Sequence, residues 1–230
     1  MKRIGILGGM APESTLEYYR ILIGLAHERL PQDEYPEIIV YSLNFKEFIT
    51  RMVVEDHGGA VELLARGIAA LKRAGADFAL IASNTPHMFF AELQRRASLP
   101  LLSIVEATLQ RAEELGLRRL GLFGTRFTME GRFYPEAAQQ RGLEIAVPEA
   151  AEQTLIHKTI MEELVNGRVL EESRTTLVEI AQQLKADQEI EALILGCTEL
   201  PLILDEEVLG MPALDTTRIH AEAAFKWAQE

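Results

Sequence analysis

The chain has 230 residues, a hydrophobic fraction of 48%, a charged fraction of 25% and a formal net charge of -12. This composition predicts an ordinary globular protein, with room for one large α/β domain or two small ones. The acidic charge argues against nucleic acid or an anionic membrane as the main partner. One cysteine excludes an intramolecular disulfide, and no apolar run approaches the roughly 18 residues of a membrane-spanning helix. We therefore expect a cytoplasmic protein whose partner is a small molecule.

Short apolar runs rich in β-branched residues alternate with longer stretches of helical periodicity. The candidate strands lie at residues 4–7, 38–43, 78–82, 100–104, 120–123, 143–147, 191–195 and 211–214. Between them, Val61, Leu64 and Ile68 follow the spacing of one helix face, as do Leu177 and Ile180. This alternation predicts an α/β fold with mostly parallel sheets, helices on both faces and strands buried on both sides.

The two halves of the sequence resemble each other. Three pairs of segments align in the same order at a nearly constant spacing: 2–8 with 118–124, 77–83 with 191–197, and 99–102 with 211–214. The repeat predicts a duplication of about 1–115 and 116–230, with a four-stranded sheet in each of two pseudo-symmetric domains. We expect residues 1–98 and 212–230 in the first domain, where the chain end packs back, and 99–211 in the second.

Ligands of open parallel sheets bind outside the carboxyl ends of the strands. Two similar domains that face each other would place those ends on opposite walls of one cleft, and we expect the active site there. Ser83 and Cys197 occupy equivalent positions, because each directly follows the strand that the repeat pairs with the other.

Four roles are open to Cys197, the only cysteine: nucleophile, base, metal ligand or buried side chain. It precedes Thr198 and Glu199, and a proline at 201 suits the first turn of a helix. A helix N-terminus would lower the thiol pKa, so we expect an activated cysteine. The alternative is a buried cysteine that behaves as a small hydrophobic residue.

Ser83, Asn84 and Thr85 have two interpretations. All three residue types are preferred helix caps, so the segment can simply begin a helix. Alternatively, Asn84 and Thr85 donate hydrogen bonds to a substrate carboxylate.

The glycine-rich first loop is not a dinucleotide fingerprint, because it lacks the G-x-G-x-x-G spacing and a later acidic residue. We expect Gly8, Gly9 and Met10 to let the backbone approach a small ligand, and the stretch 13–17 to cap the next helix. The five histidines show no metal-ligand spacing, so no metal and no cofactor are expected. The segment IASNT is not the G-x-S-x-G elbow of a serine hydrolase.

The sequence resembles the cofactor-independent aspartate/glutamate racemases over essentially its whole length. The segments that carry the resemblance are GILGGMAPESTLEYYR, SNTPH after the third strand, GTRFTM, GCTE and DTTRIHA. The resemblance implies two pseudo-symmetric α/β domains with the active site between them, and a homodimer.

The resemblance also implies a mechanism with two acid/base groups, one on each face of the substrate Cα. Typical members have cysteines at both positions, which here are Ser83 and Cys197. This chain departs from the pattern at Ser83, and a serine hydroxyl is a much weaker acid than a thiol. Some members resemble this one in having a hydroxyl residue, threonine, at that place. Ser83 then acts as a donor, directly or through a water, with unequal rates in the two directions.

Members strict for aspartate are expected to use two basic residues for the substrate carboxylates. The first aligns with Arg51 or Met52, and the second falls near Val165, where the chain has no lysine. One cation is therefore left, which predicts broad amino-acid specificity as readily as aspartate specificity. Thr125 and Asp215 are lesser candidates for the same cleft.

The preferred interpretation is an amino-acid racemase without pyridoxal phosphate, with Cys197 as the principal acid/base and Ser83 opposite it. The expected substrate-binding residues are Met10, Arg51, Met52, Ser83, Asn84, Thr85, Thr198 and Glu199. Two alternatives remain open: a one-cysteine decarboxylase or isomerase of a dicarboxylic acid, and a small-molecule binding protein without turnover.

Overall fold

The computed structural model describes all residues from Met1 to Glu230. They form two compact units. The first contains Met1–Ile104 and His220–Glu230, and the second contains Val105–Ile219. No helix is both long enough and apolar enough to cross a membrane.

The first unit is built from βα segments in chain order. Its elements are β1 (Ile4–Gly8), α1 (Pro12–Arg29), β2 (Ile38–Ser42), α2 (Phe45–Val53), α3 (His57–Arg73), β3 (Phe78–Ile81), a 3-10 turn (Thr85–Phe89), α4 (Phe90–Arg96) and β4 (Leu101–Leu102). The strands are parallel in the order β2-β1-β3-β4. The central strands β1 and β3 are fully buried, so the sheet forms the centre of the unit.

The second unit repeats this plan. Its elements are α5 (Ile104–Glu114), β5 (Arg119–Gly124), α6 (Arg126–Met129), α7 (Phe133–Gln140), β6 (Glu144–Ala146), α8 (Ala150–Glu162), a 3-10 turn (Leu164–Asn166), α9 (Glu171–Gln188), β7 (Ala192–Gly196), a 3-10 turn (Leu200–Leu202), α10 (Glu206–Leu209) and β8 (Ala213–Asp215). The last helix, α11 (Thr216–Gln229), begins in the second unit and belongs to the first from His220 onward. Its parallel sheet has the order β6-β5-β7-β8. The α/β prediction is therefore confirmed, and all eight predicted strands form.

Both helix faces that the sequence predicts to be apolar are buried in the structure. Val61, Leu64 and Ile68 are buried on α3, and Leu177 and Ile180 are buried on α9. An apolar stripe at this spacing gives a helix one face to pack against a sheet. Burial of a leucine or isoleucine side chain stabilises a fold by about 1.5 to 3 kcal/mol.

The prediction that every strand is buried on both sides is wrong for β2 and β6, two of the four edge strands. β2 has an exposed carboxyl-terminal half, with Val40 and Tyr41 open to solvent. β6 is half-buried at most. Each has a neighbour on one side only, so its apolar sequence does not produce complete burial.

The predicted domain boundaries are also corrected. β4 pairs with β3, which places residues 99–104 in the first unit. β8 pairs with β7, which places residues 212–219 in the second. The chain then returns within α11, and Ala221, Ala224 and Phe225 enter the core of the first unit.

The start of α1 differs from the predicted capping pattern. The helix begins at Pro12, and its N-cap Ala11 makes no side-chain hydrogen bond. Thr15 lies inside the first turn and accepts a hydrogen bond from the Gly9 backbone N–H at 2.9 Å. Proline suits this first helical position because its missing N–H would have no partner there.

Candidate active site

Cys197 lies at the carboxyl end of an inner strand of the second unit. It directly follows β7, which is fully buried between β5 and β8. The thiol-bearing residue is partly exposed, and its side chain packs against the core of the second unit. The strand therefore fixes the position of Cys197 at the carboxyl end of the sheet, which is where ligands of parallel sheets bind.

A carboxylate lies next to the thiol. The Cys197 Sγ donates to Glu199 Oε2 at 2.9 Å, and the Thr198 hydroxyl donates to the same oxygen at 2.8 Å. Glu199 is only 6% exposed. The three residues thus form a compact hydrogen-bonded group in which the carboxylate accepts from both neighbours.

The pKa of Cys197 is raised well above its ordinary value. Burial is the main cause, and the charge and hydrogen bond of Glu199 raise the pKa further against the smaller opposing effect of backbone N–H groups. The expected lowering by a helix N-terminus is therefore wrong. The segment that follows is a single 3-10 turn at Leu200–Leu202, and the adjacent carboxylate stabilises the neutral thiol.

Ser83 has the corresponding place in the first unit, just after β3. It is partly exposed, and its backbone N–H donates to the Ile81 carbonyl at 2.8 Å. Asn84 and Thr85 are buried. Asn84 precedes the 3-10 turn without a side-chain capping bond, so the capping interpretation does not describe its side chain.

His87 ends the SNTPH segment that carries the family resemblance, but the sequence indicated no role for its side chain beyond the exclusion of a metal site. Its Nδ1 lies 2.9 Å from the Ser83 carbonyl oxygen, and the ring is 3% exposed. The sequence feature that could have indicated this contact is the four-residue spacing of Ser83 and His87, because groups four residues apart lie close together in a helical turn.

The first loop is shaped by contacts within the protein. A Cβ at Gly8 would overlap the side chain of Thr15, and one at Gly9 would overlap the backbone oxygen of Leu43. Gly9 also has a φ of +87°, which favours glycine. These contacts account for both glycines without a ligand. Met10, beside them, is buried.

Arg51 and Met52 lie in the last turn of α2 and have different environments. Met52 is 2% exposed and belongs to the interior. Arg51 donates to Asp56 Oδ2 at 2.7 Å and to Glu47 Oε1 at 3.3 Å. Two carboxylates therefore already bind the one cation that the sequence offered for a substrate carboxylate.

The remaining candidates have structural contacts of their own. Val165 packs against the core of the second unit. The Thr125 hydroxyl lies 3.2 Å from that of Thr128. Asp215 caps α11 by accepting from the Thr217 N–H at 2.9 Å, and burial raises its pKa. No group of three or more His, Cys, Asp or Glu residues is arranged to hold a metal ion.

Comparison with known proteins decides the family. The family model described as Asp/Glu/Hydantoin racemase matches residues 7–224. The chain belongs to this family. The chain is 26% identical to the broad specificity amino-acid racemase RacX of Bacillus subtilis over 233 residues. The alignment covers 96% of this chain and 95% of the relative.

Solved structures of racemase relatives share the fold. A Yersinia pestis protein provisionally named an Asp/Glu racemase is 34% identical, with a TM-score of 0.93 and 100% of each chain covered. An aspartate racemase homologue from Pyrococcus horikoshii is 37% identical, with a TM-score of 0.88 and 100% of each chain covered. The sequence-based assignment to the Asp/Glu racemases is therefore confirmed.

Proposed function

We propose that this family member is an amino-acid racemase that works without pyridoxal phosphate, with Cys197 as its principal acid/base. The observation that carries the proposal is the contact of 2.9 Å between the Cys197 thiol and the buried Glu199 carboxylate. A thiol at a strand end with a proton acceptor in hydrogen-bond range has the geometry of a general acid/base pair.

Racemisation removes a proton from one face of Cα and returns a proton to the other face. In the resting protein Cys197 is a neutral thiol, since its pKa is raised. When it acts as a base, the S–H bond breaks and the proton passes to Glu199. The thiolate then takes the Cα proton, and the electron pair left on carbon spreads into the substrate carboxylate.

Ser83 supplies the second proton in this proposal. Its hydroxyl donates a proton to the opposite face of the carbanion, directly or through a water. The alkoxide that this leaves on Ser83 is neutralised by the proton held on Glu199, which solvent water carries back. Serine forms its anion far less readily than a thiol. The reaction that begins with proton removal by Cys197 is therefore expected to have the higher kcat, with a KM that is higher in the same proportion because the two enantiomers have equal free energy.

The charges of the site favour a broad range of amino acids. Glu199 is suited to the substrate ammonium as the substrate arrives, before the carboxylate takes the thiol proton. Asn84 and Thr85 offer hydrogen-bond donors for the α-carboxylate, and Thr198 adjoins the substrate while its hydroxyl holds Glu199 in place. Arg51 is already bound by Glu47 and Asp56, so a second substrate carboxylate must compete for it. The relative named as a broad specificity racemase supports the same choice. Met10 would line the apolar side of the pocket, whereas Met52 is enclosed in the interior and would act only through packing behind it.

The test follows Cα deuteration and chirality together. Each enantiomer of several acidic and neutral amino acids is incubated in heavy water with wild type, Cys197→Ala and Ser83→Ala. The proposal predicts exchange and inversion by the wild type and loss of both in Cys197→Ala. Ser83→Ala retains deuterium entry from the enantiomer that Cys197 deprotonates, but loses inversion.

The same experiment separates the two alternatives. Loss of carbon dioxide, or deuterium entry from one enantiomer of a dicarboxylic acid without inversion by the wild type, would favour a one-cysteine decarboxylase or isomerase. Binding of an amino acid, measured by calorimetry, without any exchange would indicate a binding protein and contradict the racemase proposal.

A further inference from the structure

Two histidines are buried beside each other in the first unit. His87 follows β3 and His220 lies in α11, and their ring centroids are 6.1 Å apart. Burial lowers the pKa of His87 to about 4 and that of His220 to about 3. Both rings are therefore neutral near pH 7, so each has one nitrogen that donates and one that accepts.

The contacts of His87 fix which nitrogen carries its proton. The Ile104 backbone N–H donates to Nε2 at 3.1 Å, and an N–H group can only donate. Nε2 is therefore the acceptor and Nδ1 carries the hydrogen. Nδ1–H donates to the Ser83 carbonyl oxygen at 2.9 Å. The ring also stacks on Phe90 with an interplanar angle of 7°, which restricts its rotation.

His220 has a separate set of partners. Its Nε2 lies 3.2 Å from the Leu102 carbonyl oxygen, so Nε2 carries the hydrogen. Its Nδ1 accepts from the Tyr18 hydroxyl at 2.7 Å. None of these bonds reaches the loop of Ser83. The two histidines thus hold different parts of the first unit, although their rings are in contact.

The hydrogen bonds of His87 connect the Ser83 loop to the backbone N–H of Ile104. Ile104 is the last residue of the first unit before the chain enters the second. Ser83 follows β3 with little regular structure of its own, because the next residues form only a 3-10 turn. The His87 side chain is hydrogen-bonded to both of these backbone segments.

We propose that His87 is a positioning residue for Ser83, which holds the Ser83 carbonyl through an Nδ1–H whose place is set by the Ile104 N–H. This role rests on the proposed racemase function, in which Ser83 returns the proton on the face opposite Cys197. Loss of the bond lets the Ser83 backbone move, and a shift of about 1 Å in a reacting group costs up to roughly 100-fold in rate.

Two conservative variants test the two halves of this bridge. In His87→Asn, the side-chain amide nitrogen lies near the place of the histidine Nδ1 and keeps the donation to Ser83. The longer side chain of His87→Gln places its amide near the position of Nε2 and loses that donation. The matched control is Tyr18→Phe, which removes the buried hydrogen bond between the Tyr18 hydroxyl and His220 Nδ1 in the same unit and leaves both bonds of His87 in place.

The readout is the ratio of deuterium entry to inversion for the enantiomer that Cys197 deprotonates. His87→Gln is expected to raise this ratio by about 10-fold or more, because exchange through Cys197 continues while proton return by Ser83 slows. Tyr18→Phe should keep the wild-type ratio. His87→Asn, which keeps the donation to Ser83 but loses the bond from Ile104, should give a ratio between those of wild type and His87→Gln. Exchange and inversion that fall in equal proportion in His87→Gln would overturn the proposal, since a structural defect lowers both together.

A second measurement does not depend on activity. In protein labelled with ¹⁵N-histidine, NMR should show His87 as the neutral Nδ1–H tautomer, and His87→Gln should speed amide exchange in residues 83–85 relative to Tyr18→Phe. The Nε2–H tautomer, or unchanged amide exchange, would refute the positioning role. If the wild type shows no Cα exchange, the racemase proposal fails, while these two results still decide whether His87 holds the loop.

Discussion

At the scale of single residues, the main feature of the candidate site is a cysteine that rests as an acid. Activated cysteines usually have a pKa below about 8.5, from nearby positive charge or a helix N-terminus. Cys197 has the opposite environment, with a buried carboxylate as its neighbour. Such a thiol rests in its protonated form, and in the proposed mechanism it becomes a base only after Glu199 has taken that proton.

Replacement of Glu199 by glutamine separates thiol acidity from catalysis. Glu199→Gln removes the negative charge that raises the Cys197 pKa, so the pKa falls while burial still keeps it above the ordinary value. Alkylation by iodoacetamide at pH 8 should therefore be faster than in wild type. Racemisation should nevertheless fall by about 100-fold or more, because the proton acceptor for the thiol is lost.

Thr198→Val is the matched control for this change. It removes the hydroxyl that donates to Glu199 at 2.8 Å but keeps the carboxylate charge. Alkylation should then follow the wild-type pH profile. Faster alkylation together with undiminished racemisation in Glu199→Gln would show that Glu199 is not the proton acceptor.

At the scale of elements, the strands could be predicted from the sequence, whereas the start of helix α1 could not. All eight strands form because each apolar run has too few residues for a helix and lies between helical segments. The start of α1 depends instead on a tertiary contact. Thr15 lies inside the helix and not at its cap, and its hydroxyl accepts a hydrogen bond from the Gly9 N–H. A local pattern of capping residues carries no information about that partner.

Two glycines should respond to alanine in opposite directions. Gly9 has a φ of +87°, and a Cβ there would overlap the Leu43 backbone. Gly9→Ala should lower the free energy of unfolding by about 2 kcal/mol or more. Gly24 lies inside α1 with open space around its Cα, so Gly24→Ala should raise it by about 0.5 to 1 kcal/mol. Urea unfolding measures both.

The comparison also tests whether the first loop is set by the protein or by a ligand. If the contacts with Leu43 and Thr15 shape the loop, Gly9→Ala loses stability in the absence of any amino acid. Normal stability with weakened amino-acid binding would instead support the original interpretation, in which the glycines give a ligand room.

At the scale of the whole molecule, the sequence indicated two similar halves but misplaced where the chain passes between them. The repeat at Leu99 and Met211 suggested boundaries next to those residues. The structure places them at Ile104 and Ile219, because β4 and β8 are held by their sheet partners. Strand pairing joins residues far apart in the chain. The bond from Ile104 to His87 was missed for the same reason.

The first unit should lose stability as the pH falls below about 6.5. Buried His87 and His220 have pKa values of about 4 and about 3 in the folded protein, whereas a histidine in an unfolded chain titrates near 6.5. Below that pH the unfolded state binds more protons, so the free energy of unfolding decreases by up to about 1.4 kcal/mol per pH unit for each histidine.

The only tryptophan provides a signal from this unit. Trp227 lies against Phe78, with ring centroids 4.5 Å apart, so its fluorescence reports unfolding of the first unit. Urea curves between pH 7.5 and 4.5 should give a steadily lower midpoint. The lowest pH of this range lies above the ordinary aspartate pKa of about 3.9. Nearer that pKa, protonation of Asp77 and loss of its ion pair with Arg3 would also lower the stability. His220→Gln should be less stable at pH 7 but less sensitive to pH, because one of the two groups that take up a proton on unfolding is gone. Equal pH dependence in wild type and His220→Gln would mean that His220 is not buried as a neutral ring.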